Sequence, residues 1–269
     1  MSFLSDYGLA DEFVGVCKAV ILRVAPDALV IDVTHEIPPH DVRAGALTLA
    51  RAAQYLPQGV VLGVVDPGVG TDRRAVALEV DSGYLVGPDN GLLAPAVAML
   101  GGAKRVVSLT NPEYQMEAPG PTFAGRDVFA PAAGYLASGV DLAELGEEVD
   151  PLSLVPGLVP LSRPDGDGIA GEVLWVDRFG NLQLNLDPGE LMALGLRPGD
   201  RLAVGFGPEP RTARWVGTYA EAASMELVVV VDSYGLVSLA FDRSPAAETL
   251  GLREGSAVTL RPLPPAGTQ

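Results

Sequence analysis

Cysteine, histidine and basic residues are scarce in this 269-residue chain, and each shortage closes a route. A single cysteine, Cys17, has no partner for an internal disulfide. With only His35 and His40 beside it, the ligands of an ordinary zinc site are missing, and no metal is expected. The 18 lysines and arginines face 34 acids, a net charge of -16, and the acids are scattered rather than gathered into a tail. That balance argues against a nucleic-acid partner. Long apolar runs are also lacking: none approaches the ~20 residues of a membrane span, and nothing ahead of "FLSD" has the pattern of a signal peptide. The expectation is a reduced, metal-free cytoplasmic protein without membrane contact. Aromatics are few, but apolar periodicity is strong throughout, which points to a folded chain rather than a disordered one.

That periodicity alternates between two kinds in the first half. After "FLSDYG", Phe13, Val16, Cys17, Val20, Ile21 and Val24 recur at helical spacing until "APDA" stops them. "LVIDV" then predicts a buried strand at 29–33, "DVRAGALTLARAAQY" a helix from about Asp41, and "VVLGVV" a buried strand at 60–65. Strands "AVALEV", "YLVG" and "RVVSL" and helices "LLAPAVAML" and "DVFAPAAGYLASG" continue to about residue 140. Short apolar strands separated by helices predict an α/β domain over 1–160, its mainly parallel sheet covered on both faces.

From about residue 160 the rhythm changes. "VPGLVPLSRPDGDG" is rich in turn formers and reads as a linker; "IAGEVLWVD", "NLQLNL", "RLAVGF", "ELVVVV", "LVSLAF" and "AVTLR" read as strands. The expectation is a smaller all-β, barrel-like domain over 161–269. Within it, "LGLRPG" at 194–199 and "LGLREG" at 250–255 agree at five of six positions, each leading into a strand. Chance recurrence of leucine-rich turns and a structural duplication are equally open.

The stretch "VVDPGVGTDRR" at 64–74 raises the functional question. It leaves a buried strand, so Asp66 falls at a carboxyl end, where open α/β sheets bind ligands. Gly68 and Gly70 allow close backbone approach, and Arg73 can reach back to Asp66. A phosphate loop fails, because neither G-x-x-x-x-G-K nor G-x-G-x-x-G is present. A tight turn with a surface ion pair is the bland alternative. Asp6 after the first strand, Asp11, "GPDNG" at 87–91, "PTFAGRD" at 121–127 and "DRFGN" at 177–181 add polar groups at strand ends. Taken singly, Asp11 and Asp127 read as helix caps and the other two blocks as β-turns. Jointly, many acids with few bases suit a polyhydroxylated or cationic small molecule.

These blocks, with "SDYGLADEFVG", "DVTHEIPPHDV", "GPDNGLL", "TFAGRDVFAPAA" and "SPAAETLGLREG", resemble the S-adenosyl-L-methionine (SAM) hydrolases. That family is also called the SAM hydroxide adenosyltransferases, or DUF62, and is related to the fluorinase and chlorinase. The resemblance runs in order along nearly the whole chain. It implies cleavage of SAM to adenosine and L-methionine by water or hydroxide at ribose C5′, with SAM as substrate and no cofactor. It also implies a homotrimer with the ligand at a subunit interface, the first domain binding SAM and the second completing the site. By the same matching, Asp66 and Arg73 are catalytic, Asp6 holds the ribose hydroxyls, Asp11 and Asp177 the methionine ammonium, Asn181 the adenine edge and Ser233 the methionine carboxylate. Thr122 helps to shape the nucleophile site.

Elementary chemistry constrains the mechanism. The sulfonium charge is lost as C5′–S breaks, so a desolvating site favours the transition state. Water at pKa 15.7 and an aspartate near 3.9 differ by about 12 units, so free hydroxide made by a carboxylate would cost about 16 kcal/mol. Asp66 is therefore expected to orient the water and accept its proton late, with Arg73 holding the carboxylate in place.

One position departs from the family pattern. The block usually reads "TFHGRD", its histidine counted as catalytic; here Ala124 stands there, and neither His35 nor His40 belongs to the motif. A halide adenosyltransferase is one alternative, though those enzymes typically carry tyrosine at the place of Asp66, and a carboxylate repels a halide. A non-catalytic SAM- or adenosine-binding protein is the other.

Overall fold

A computed structural model describes residues 1–263 as two compact units, one spanning Met1–Val159 and one beginning at Pro160. In the first, strands β1 (Ser2–Ser5), β2 (Ile31–Thr34), β3 (Gly59–Val64), β4 (Ala75–Val80), β5 (Gly83–Pro88), β6 (Arg105–Ser108) and β7 (Glu147–Glu148) form one sheet. Its order is β2-β1-β3-β5-β4-β6-β7. β1, β2, β3 and β5 pair in parallel; β4 runs against both β5 and β6, and β7 against β6. Five of the seven strands therefore point one way, and the sheet is mostly parallel.

Helices α1 (Phe13–Val24) and α4 (Ala130–Ala137) cover one face, and α2 (Val42–Ala53) and α3 (Ala94–Met99) the other. Alternation along β3 assigns the faces: Val60, Leu62 and Val64 meet α1 and α4, while Val61 meets α2 and α3. Leu62 is fully buried, which is worth roughly 1.5–3 kcal/mol relative to exposure. α1 forms because Val14, Cys17, Val20 and Ile21 make one buried stripe. Burial pushes the Cys17 thiol up to about 12 and keeps it protonated. α2 starts where Asp41 accepts a hydrogen bond from the Ala44 amide at 2.8 Å.

Two expectations need correction. The strand predicted as buried at 29–33 is β2, an edge strand at 31–34 with only β1 beside it, and Ile31 is exposed. An apolar run gives strand propensity, but burial also needs a neighbour on each side. The stretch predicted as linker is not all linker, because β8 (Arg163–Asp165) pairs with the next strand.

The second unit contains β9 (Gly168–Val176), β10 (Leu182–Leu184), α5 (Pro188–Ala193), β11 (Arg201–Gly205), β12 (Arg211–Trp215), β13 (Val228–Val231), β14 (Val237–Ala240), α6 (Ala246–Leu250) and β15 (Ala257–Pro262). Strands β10-β14-β13-β12-β11-β15-β9 close into a barrel through the β9–β10 pairing. Leu182, Leu202, Trp215, Val229, Leu239 and Leu260 fill it. β12 was missed in the sequence because charge at Arg211 and Arg214 masks its inward Ala213 and Trp215.

The internal echo proves structural. α5 and α6 each run through the repeated turn into β11 and β15, which pair with one another. Leu196 N–H bonds Leu191 O at 3.2 Å and Leu252 N–H bonds Ala247 O at 3.0 Å, five residues back in both copies. Gly195 and Gly251 carry φ of 84° and 67°, a left-handed conformation that favours glycine.

Candidate active site

The carboxyl ends of β1 and β3 open onto a cavity of about 260 Å³ lined by Asp6, Tyr7, Phe13, Pro39, His40, Asp66, Val69, Thr122, Phe123, Ala124 and Gly125. Chain topology explains the convergence: neighbouring parallel strands end on the same side of a sheet, so their following loops meet there.

Asp66 sits immediately after Val65, whose carbonyl accepts from Asn90 Nδ2 at 2.8 Å. Arg73 returns from the same loop and grips both carboxylate oxygens, with Nε 2.8 Å from Oδ1 and Nη2 against Oδ2. The pair is largely buried, 6% exposed at Asp66 and 16% at Arg73, and the guanidinium lies 5.1 Å over the Phe129 ring. Nε also reaches Oδ2 at 3.1 Å, so Oδ2 accepts twice while Oδ1 accepts once and can still take a hydrogen bond from a water in the cavity. The adjacent Arg74 does different work. It pairs with buried Asp89 at 2.8 Å and bonds Ser153, and Asp89 also accepts the Val155 amide at 2.8 Å. "GPDNG" is thus scaffolding for the β3 end rather than a ligand-binding block.

Asp6 accepts the His40 amide on Oδ2 at 2.9 Å. Behind it runs a chain of side chains that no motif announced. Lys18 Nζ lies 2.6 Å from Asp32, Asp32 lies 3.1 Å from His35 Nε2, and His35 Nδ1 lies 2.7 Å from Ser5 Oγ. With Nε2–H donating to the carboxylate, Nδ1 accepts from the buried Ser5 hydroxyl. Partial burial works against ionisation of Asp32, but hydrogen bonds from Lys18 and His35 outweigh it and hold the carboxyl below its usual range. The His35 carbonyl also accepts the Gly8 amide at 2.7 Å, so the segment bearing Asp6 is pinned from both ends.

An aromatic wall completes the cavity. Tyr7, Phe13 and Phe123 pack with centroids 5.1 to 5.8 Å apart. Burial first, then the nearby Cys17, Asp6 and Asp66, pushes the Tyr7 phenol well above its usual range, so it stays a hydrogen-bond donor. Gly125 opens a π-helical turn over Gly125–Phe129, and a Cβ there would collide with the Tyr7 hydroxyl. Only glycine fits.

The remaining residues singled out in the sequence divide. Thr122 lines the cavity with Asp6 and Asp66. Asp11 is exposed, lies outside that lining and does not cap α1, whose N-cap is Glu12 without a side-chain bond. Asp127 is no cap either, because Arg126 holds its carboxylate. In the second unit, Asp177 Oδ1 accepts the amides of Phe179 and Asn181 at 2.8 and 2.9 Å, and Oδ2 accepts Asn181 Nδ2 at 2.8 Å. Phe179 at that hairpin tip is 79% exposed. Ser233 is exposed in the β13–β14 turn, which Asp232 holds by accepting the Tyr234 and Leu236 amides. Tyr7, Phe13, Phe123 and His40 escaped the sequence reading, since their convergence comes from loops far apart in the chain. Among the described residues no group of three or more histidines, cysteines or acids is arranged to hold a metal ion, and no helix is long and apolar enough to cross a membrane.

Comparison with known proteins gives the family. Residues 1–146 match the SAM hydroxide adenosyltransferase N-terminal domain, and residues 171–259 match the SAM hydroxide adenosyltransferase C-terminal domain. The chain belongs to the SAM hydroxide adenosyltransferase family. As a member of that family it is 49% identical over 255 residues to the (R)-S-adenosyl-L-methionine hydrolase of Salinispora tropica, covering 95% of both chains. A fluorinase of an Actinoplanes species is more distant, 27% identical over 288 residues, covering 97% of this chain and 96% of that one. The crystal structure of an uncharacterized conserved protein from Thermotoga maritima superposes with a TM-score of 0.90 at 34% identity, covering 97% of this chain and 99% of that one. Within the SAM hydroxide adenosyltransferase fold, the α/β unit with Asp66 and Arg73 lies in the N-terminal match, and Asp177, Asn181 and Ser233 lie in the C-terminal match.

Proposed function

We propose that this chain hydrolyses SAM to adenosine and L-methionine, with water attacking ribose C5′. The observation that carries the reading is Asp66, gripped by Arg73 on the wall of a cavity shared with Asp6. The 49% identity to an enzyme named as a SAM hydrolase supports the substrate. In the reaction the water oxygen bonds to C5′, the C5′–S bond breaks with its electron pair going to sulfur, and one proton leaves. Asp66 aligns the water through the remaining lone pair of Oδ1 and receives the proton late, as C–O bonding makes it acidic. Arg73 keeps the carboxylate from rotating away. Tyr7, Phe13 and Phe123 supply a poorly solvated wall, which favours loss of the sulfonium charge.

The ligand contacts belong to the same proposal. Asp6 holds the ribose hydroxyls, Asp11 and Asp177 the ammonium, Asn181 the adenine edge and Ser233 the carboxylate, in a cytoplasmic homotrimer that needs no cofactor and holds its ligand at subunit interfaces. Asp177 Oδ2 accepts one bond from Asn181, leaving capacity for an ammonium; Asn181 keeps its oxygen and one N–H for a purine. Exposed Phe179 offers a flat face beside them. A carboxylate on the cavity wall disfavours a halide nucleophile.

Incubation with SAM in ¹⁸O-water, followed by mass spectrometry, tests the reading. Adenosine labelled at its 5′-oxygen with unlabelled methionine is the expected result. Halo-adenosine formed from added halide would make the chain a halogenase, and intact SAM would make it a binding protein.

A further inference from the structure

The proposed reaction leaves one proton, which must reach solvent before the next turnover. The same cavity is lined by a histidine from a different loop. His40 lies between β2 and α2 and lines the cavity with Asp66 and Asp6. Its backbone is fixed on both sides: the amide donates to Asp6 Oδ2 at 2.9 Å, and the carbonyl accepts the Val42 amide at 3.0 Å. Its φ is 69°, a left-handed conformation that costs a non-glycine residue of order 1 kcal/mol or more and persists where surrounding bonds impose it. By contrast, the imidazole makes no hydrogen bond among the described residues, and the residue is exposed. This side chain is held at the cavity wall by its backbone, with both ring nitrogens uncommitted among the described residues and solvent within reach, so it is free to hydrogen-bond a water on either side. Ala124 brings no proton acceptor to the same wall.

We propose that His40 is a further catalytic residue, carrying the proton of the attacking water from the Asp66 side of the cavity to solvent. The inference rests on the hydrolase reading above. The C5′–O bond forms, the C5′–S bond breaks with its pair to sulfur, and the water proton passes through the imidazole to bulk water. The charged groups around it are Asp6 and Asp66 on the cavity wall and Asp41, next in the chain, which caps α2.

His40→Gly and His40→Asn test the role, since both residues tolerate a positive φ and spare the loop. Each is expected to lower kcat for SAM cleavage at least ~10-fold, the shortfall from the usual ~10²–10⁴ of a positioned acid–base group reflecting the Asp66 that remains. KM should stay within about threefold, and added imidazole should raise kcat of His40→Gly while leaving the unmodified protein unchanged. Undiminished kcat in both variants overturns the proposal, as does a lowered kcat that imidazole does not raise, which would mean the side chain only supports the loop. An unmodified protein that releases no adenosine and methionine would overturn the hydrolase reading itself; one that cleaves SAM no faster than His40→Gly overturns the role of His40 alone.

Discussion

Two aspartates follow barrel or sheet strands and precede a glycine within three residues, yet Asp66 and Asp177 spend their oxygens differently. The turn after Asp66 is closed by backbone, with the Val69 amide on the Asp66 carbonyl at 3.2 Å and the Thr71 amide on the Gly68 carbonyl at 3.1 Å. Its carboxylate takes no part in that closure and faces Arg73 and the cavity. At the β9–β10 hairpin the backbone closes the turn too, with the Gly180 amide on the Asp177 carbonyl at 2.9 Å, but the carboxylate joins the closure, accepting two amides and the Asn181 side chain. A turn whose aspartate is not needed by its own backbone has a side chain to spare for chemistry. One whose aspartate builds the turn can offer a ligand only what is left over.

Substitution at Asp66 gives the largest expected effect. Asp66→Asn keeps the shape of the turn and should leave the fold and SAM binding intact while lowering kcat at least ~10²-fold, measured as adenosine release. An unchanged rate would erase the contrast, because Asp66 would then be structural too.

The complementary change at Asp177 is expected to register first in stability. Asp177→Ala removes three accepted hydrogen bonds worth about 0.5–1.5 kcal/mol each net, so unfolding of the barrel unit should become easier by roughly 2 kcal/mol. Thermal denaturation alongside SAM titration reads both consequences. If stability is untouched and only KM rises, Asp177 is a ligand residue that happens to sit in a turn, and the comparison breaks.

How far each region was legible in the sequence follows from the range of its interactions. α1, α2 and β3 were readable because their burial patterns are local, and Asp66 and Asp6 because a strand end is a local address. The exposure of β2 was not, since whether a strand lies at an edge depends on the order of the sheet. Nor was the Lys18–Asp32–His35–Ser5 chain, whose members come from α1, β2, the loop after β2 and β1. The helix caps expected at Asp11 and Asp127 failed for a related reason: the residue type permits a cap, but neighbouring residues decide whether it is used. The repeated "LGLR" turn was ambiguous in one dimension and became a duplication only when the same five-residue backbone bonds appeared in both copies.

A smaller effect is expected at Ala124. It is half-buried in the aromatic wall beside Phe123, on the cavity that Asp66 and His40 share. Ala124→His places a ring into that volume of about 260 Å³, displacing solvent and crowding its neighbours. Because Asp66 and His40 already line the cavity, kcat should change by less than about threefold or fall. A rise of roughly 10² or more would show that the unmodified site lacks a proton acceptor, and that the side chain at Asp66 is less complete for chemistry than its contrast with Asp177 suggests.

The smallest expected effect is none at all, on exhaustive chelation. A hard divalent cation needs several oxygens with free lone pairs aimed at one point. Asp66 has Arg73 on both oxygens, and Asp177 has its own loop on both. Asp6 gives one oxygen to His40, and Asp232 is bonded to Gln183, Ser238 and two amides. A cation entering either turn would have to evict N–H donors that already neutralise or orient the carboxylate. Initial rates of adenosine release before and after dialysis against EDTA should therefore coincide. Loss of activity that a divalent ion restores would mean that at least one of these carboxylates abandons its partners when substrate binds.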